Sequence, residues 1–178
     1  FDLSTIPANA QLTRVALTLT QSKTNASSGA QTHSLHRVLA SWGEGASNAG
    51  TPGGGGAAAA SGDATWIHAL SPSTLWASPG GDFDPVSSAT LSTAGNGSYT
   101  WESAQLLADV RAWTDAPATN FGWILVGNET ATGTAKRFNS RESFTASQRP
   151  KLTLEYTLPN SAPTAGSLPD LLLARSGT

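Results

Sequence analysis

At 178 residues the chain has the size of one domain with a substantial core. It has no cysteine, so disulfide and thiolate chemistry are excluded. A formal charge of −2, with no basic stripe, argues against nucleic acid as a partner, and no apolar run approaches the length of a membrane span.

Glycine, serine, threonine and alanine dominate and only 12% of residues are charged, the profile of an all-β protein with many turns. The chain opens at Phe1 and contains no Met, which reads as a processed or trimmed segment of a longer product. A low-Lys, Ser/Thr-rich, Cys-free surface suits a secreted bacterial protein.

The first element is the alternating strand QLTRVALTLT, with Val15, Leu17 and Leu19 on one face and Arg14, Thr18 and Thr20 on the other. HSLHRVLASW is a second strand. GEGASNAGTPGGGGAAAASGD follows, too long for a hairpin and too poor in large apolar groups to pack, and is expected to be a surface loop. ATWIHAL returns to extended structure, SPSTLWASPGGDFDP is turn-rich and irregular, and SATLS and GSYTW are short strands. In WESAQLLADVRAWTDAP, Leu106, Leu107, Val110 and Trp113 recur at helical spacing, with Ser103 as N-cap and Pro117 as stop. FGWILVGN is apolar on both faces, as a central strand would be. AKRFNSRES is a polar strand or turn. In PKLTLEYTL, the residues Leu152, Leu154, Tyr156 and Leu158 are expected inward, and Lys151, Thr153, Glu155 and Thr157 outward. A Pro/Ser/Ala linker over residues 159–167 leads to an apolar run with Leu168, Leu171, Leu172 and Leu173.

Eight or nine short strands and one helix (about residues 103–114) predict an all-β fold: a two-sheet antiparallel sandwich of jelly-roll type over residues 1–158. The run over residues 168–178 reads like the inside of a sheet, although chain ends are normally polar and loosely held.

Several stretches together resemble the secreted bacterial modules called DNRLRE domains, related to alginate-binding carbohydrate modules. They are FDLSTIPANAQLTRVALTLT, SLHRVLASWGEGAS, GDATWIHA, TLWASPGGDF, LLADVRAWTDAPATNFGWILVGNE and KRFNSRESFTASQRPKLTLEYT, in one order from Phe1 to Thr157. The resemblance implies an extracellular β-sandwich, often repeated within surface proteins, and no catalysis. Such modules usually carry one or two strands before the FDLS element, which this sequence lacks. LLLARSGT looks like that missing first strand, placed at the other end of the chain. It then completes a sandwich, its own or that of a neighbouring copy, and donation to the next subunit would build a filament. The alternative is that the ends merely mark where a longer chain was cut.

Six tryptophans invite two readings. Trp113 and Trp123 are expected in the core. Trp42, Trp66, Trp76 and Trp101 flank loops, as a platform for pyranose rings or as plugs at the sandwich ends. Lys136, Arg137, Arg141 and Arg149 would suit an acidic polysaccharide such as alginate, or else form structural pairs such as Arg141 with Glu142. Glu44, Asp63, Asp82 and Asp84 in Gly-rich loops offer hard oxygen ligands for calcium, or cap their own turns. His33 and His36 fall on opposite faces of a strand, which argues against one ion shared by both. Asn25, Asn96 and Asn128 each open an Asn-x-Ser/Thr sequon. No nucleophile elbow, phosphate loop or dinucleotide fingerprint is present, and no carboxylate pair is marked out for glycoside hydrolysis. The sequence thus predicts a non-catalytic extracellular structural or adhesive module, with a carbohydrate-binding module as the alternative.

Overall fold

The computed structural model describes residues 1–48, 50 and 56–159. Leu168, Leu171, Leu172 and Leu173, and the linker from residue 160 onward, lie outside the described residues. The described chain forms nine strands in antiparallel sheets and a single α-helix.

The 14-residue strand β1 (Gln11–Thr24) is the spine of one sheet. Along one edge it pairs with β6 (Gly97–Glu102). Along the other it pairs first with β9 (Lys151–Thr157), then with β8 (Lys136–Phe138). The spine of the second sheet is β2 (Gln31–Val38), between β5 (Phe83–Thr93) and β7 (Trp123–Val126). A small hairpin of β3 (His68–Leu70) and β4 (Thr74–Leu75) stands apart. A three-residue turn joins β5 to β6 and so ties the two sheets along one side.

Val15 and Leu17 are buried from β1, Leu35 from β2 and Trp101 from β6, while the opposite face of β1 carries Arg14, Thr18 and Thr20. On that face Arg14 donates to Glu102 and Glu155 and so straps β6, β1 and β9 together, and Thr18 and Thr20 meet Thr100 and Ser98 across the ladder.

The helix α1 (Ala104–Asp115) begins where expected. Ser103 has extended backbone, and its hydroxyl accepts the Leu106 N–H at 2.9 Å. Leu106, Val110 and Trp113 are buried, and Trp113 meets Trp123 with ring centroids 4.5 Å apart. Pro117 opens a separate single-turn helix after the Ala116 C-cap. The fourth buried position of α1 is Asp109, only 2% exposed, which accepts from the Ser88 hydroxyl, from Trp123 Nε1 (2.8 Å) and from Gln105 Nε2 (3.2 Å). One carboxylate therefore fastens the helix to both outer strands of the second sheet.

Four expectations are corrected. The strand FGWILVGN is not central: β7 is the outer strand of its sheet, and all four of its residues are only half-buried. Its double-faced apolar character arises because Trp123 and Leu125 pack on the core at one side while they and Ile124 also line a cleft beside Phe83. SATLS belongs to an 11-residue strand that begins inside the stretch expected to be irregular. Trp101 does not flank a loop; at 1% exposure it is core, its N–H donated to the His33 carbonyl at 3.1 Å. In β9, Leu152 and Leu154 are half-buried as the alternation requires, but Tyr156 and Leu158 are exposed, since no described strand covers the outer edge there.

Candidate functional site

Two features could meet a partner: an aromatic cleft beside the second sheet, and the uncovered side of the sandwich.

The cleft has a volume of about 320 Å3 and is walled by Trp42, Trp76, Phe83, Trp123 and Ile124. Each indole is pinned by its N–H. Trp42 donates to the Phe121 carbonyl (2.8 Å), Trp76 to the Thr65 carbonyl (2.9 Å) and Trp123 to Asp109. Trp42 remains 41% exposed. Trp66, 61% exposed, does not line the cleft but rests on its Gly80 edge, where an added Cβ would lie 3.0 Å from the Trp66 ring. Gly80 and Gly81 both have positive φ, +99° and +116°, so this edge is bare backbone for a conformational reason. Of the four tryptophans expected at loops, Trp42 and Trp76 line the cleft, Trp66 stands next to them and Trp101 is in the core.

The cations do not join them. The Lys136 ammonium is held by Thr24 and Ser28 hydroxyls and by the Gly29 and Ala94 carbonyls. Arg137 follows on the opposite face of β8 and donates to the Ser22 hydroxyl at 3.1 Å. Arg141 lies between Glu44 (2.8 Å) and Glu142 (3.0 Å), all three well exposed, and Arg149 donates to the Ser143 carbonyl.

Glu44, Asp63 and Asp82 are not gathered either. Asp63, 5% exposed, clamps the base of the Gly/Ala loop: it accepts the Ala46, Ser47 and Ala60 N–H groups and the Ser47 hydroxyl. These bonds, with Ser47 first and Ala60 next, hold its pKa below the ordinary carboxylate value. Asp82 caps a turn through the Ala77 and Ser78 N–H groups, and Asp84 meets Arg37. Among the described residues, no three His, Asp or Glu side chains are grouped to share a metal ion. His33 is buried, and burial pushes its pKa down; His36 sits by Phe83 and His68 by Thr65.

The uncovered side shows in cross-strand partners at equal depth. Leu17 faces Trp101 in β6 and Leu35 faces Ala89 in β5, and both partners are buried. Across their other edges, Leu17 faces Leu152 in β9 and Leu35 faces Leu125 in β7, and both partners are only half-buried although they pack on the same core. No described strand lies beside the outer edge of β7 or β9.

Sequence reasoning missed Asp109 as an anchor and Phe83 and Trp123 as cleft walls. Asp109 had a signal, being a lone carboxylate on the apolar helix face. The cleft had none, because it joins residues far apart in the chain. No family model, curated protein or solved structure matches this chain.

Proposed function

We propose that the chain is a non-catalytic structural or adhesive module, secreted and displayed outside the cell, of the DNRLRE type that it resembles. Its subunits join head to tail: the segment with Leu168, Leu171, Leu172 and Leu173 adds as a strand to the open side of the next sandwich. The observation that supports this reading is the asymmetry of the core, closed by Trp101 and Ala89 on one side and left half-covered at Leu125 and Leu152 on the other. An apolar strand is the chemical complement of such an edge.

Burying four leucines contributes about 6–12 kcal/mol, and ordering about seven residues costs about 7–14 kcal/mol. The ladder hydrogen bonds with an unpaired edge therefore decide the outcome. Self-closure would make a hairpin over the nine-residue linker 159–167, where two to five residues are usual. Pro159 and Pro163 stiffen that linker and favour reaching outward, over at most about 30 Å.

The alternative, a module for an acidic polysaccharide, needs Lys136, Arg137 and Arg141 to converge; Arg137 and Arg141 do line one cavity, but Glu44 and Glu142 line it too and pair with Arg141, while Lys136 is engaged by its own loops.

Electron microscopy and light scattering of the purified full chain test the reading. The expected result is fibres for the parent and monomers for Leu172→Asp, with unchanged circular dichroism. A parent that stays monomeric, and a variant that loses stability without any change in oligomeric state, would show self-closure instead.

A further inference from the structure

The aromatic cleft shares β7 and Leu125 with the open side proposed to take a strand, but Trp42, Trp76 and Asp82 belong to the cleft alone and give it a specific chemistry. The indole N–H groups of Trp42, Trp76 and Trp123 are all taken up inside the protein, so the cleft is left with ring surface rather than with donors. The Gly80 and Gly81 edge is closed by protein side chains, since the Trp66 ring lies over Gly80 and Ile124 and Phe83 lie beside Gly81. Among the described residues, the one ionisable group in the lining is Asp82. Its two carboxylate oxygens are fixed by backbone N–H groups at 2.9 and 3.1 Å and retain lone pairs for further donors. Among the described residues, no Lys, Arg or His lines the cleft. A fitting ligand has flat apolar faces for the indoles, hydroxyl donors for Asp82 and no negative charge. The volume of about 320 Å3 lies at the small end of ligand sites.

We infer that this cleft binds a neutral pyranose unit of an oligosaccharide, stacked on Trp42 and Trp76 and hydrogen-bonded to Asp82. Uronate chains are disfavoured there, because among the described residues the lining carries a carboxylate and no cation to offset it.

Cellohexaose, laminarihexaose and mannohexaose are the probes, with a guluronate hexamer as acidic control. They are titrated into the full-length protein by calorimetry, and the indole N–H resonances of Trp42 and Trp76 are followed by NMR. At least one neutral hexamer is expected to bind and to shift both resonances, with no loss of affinity in raised salt. Trp42→Ala should weaken binding about tenfold, the size of one lost aromatic contact, and Asp82→Asn should weaken it less. If Trp42→Ala does not fold, Trp42→Phe should retain part of the affinity. Absence of binding by all three neutral hexamers at millimolar concentration would overturn the inference. So would binding that leaves both indole resonances unmoved, or salt-sensitive binding of the guluronate hexamer alone.

Discussion

At the scale of single residues, three buried polar groups do work that the sequence only partly announces. Asp63 reads as a turn residue, which it is, but its reach across to Ala46, Ser47 and Ala60 closes a loop whose ends are far apart in sequence. Because its pKa in the fold lies below 3.8, its contribution is complete above that value and is lost as pH falls through the folded-state value. His33 works at a higher pH. Burial, and secondarily Lys136, lower its pKa below 6.5, while the Gln31 carbonyl opposes them, so its stabilisation is whole above 6.5 and declines as pH falls below it. Thermal melts across acid pH should therefore show two successive losses. The lower one should shrink but persist in Asp63→Asn, because Arg14 also holds the Glu102 pKa low, and the variant should melt lower than the parent at neutral pH. Gly45→Ala should mimic this defect, since φ is +70° and a Cβ would collide with the Asp63 carboxylate. Asp109 is the third group. Asp109→Ala strands the Trp123 N–H and the Ser88 hydroxyl, at a cost of about 2–4 kcal/mol, which lowers the melting temperature by about 5–15 °C. A calorimetric melt checks it, and a shift under two degrees would show that the anchor is dispensable.

At the scale of elements, what could be read depended on whether the signal was local. The helix was legible because its cap, its apolar stripe and its stop all lie within 15 residues of chain. β1 was legible from the alternation of Val15, Leu17 and Leu19 with Thr18 and Thr20, although Leu12 and Ala16 are buried out of that pattern. β7 was not, because a run apolar on both faces has two physical origins: burial between two strands, or one face on a core and the other on a cleft. β9 was half legible. Alternation marks which residues share a face, but only the partner strands decide whether that face is covered, and at Tyr156 it is not. The aromatic cleft was invisible for the same reason, being assembled from β2, β5, β7 and the segments between them. The Gly/Ala loop is the opposite case, since its composition alone argues that it packs against little. Its described residues 56–60 are small and exposed, and its base is held by the polar side chains of Asp63 and Ser47 rather than by apolar packing. Deleting residues 53–60 should change the melting temperature by only a few degrees, because closure entropy varies slowly with loop length. The deletion retains Asp63 but removes its Ala60 partner, so a small loss is expected. A collapse of the fold would mean that the loop packs on a neighbouring copy.

At the scale of the whole molecule, a head-to-tail contact separates two roles in one chain, and these can be removed one at a time. A chain ending at Asn160 keeps the open side between β7 and β9 but has no strand to give. Leu125→Asp or Leu152→Asp keeps the strand but places a charge where it should dock; because both leucines also pack on the core, the variant is used only where circular dichroism shows its monomer folded. Each of the two altered proteins should be unable to polymerise alone. Mixed together they should form a dimer and stop, since one donates, the other accepts, and the dimer carries no free working pair. Added in small amounts to the parent, either should cap one end of a growing fibre. Mean fibre length should then fall in inverse proportion to the fraction added, as expected for a heterologous contact that does not close into a ring. Analytical ultracentrifugation of the mixture and length distributions from micrographs provide the two readouts. If the segment instead folds onto its own sandwich, the mixture remains monomeric, the doped parent is unaffected, and the cut chain differs from the parent only in a lower melting temperature.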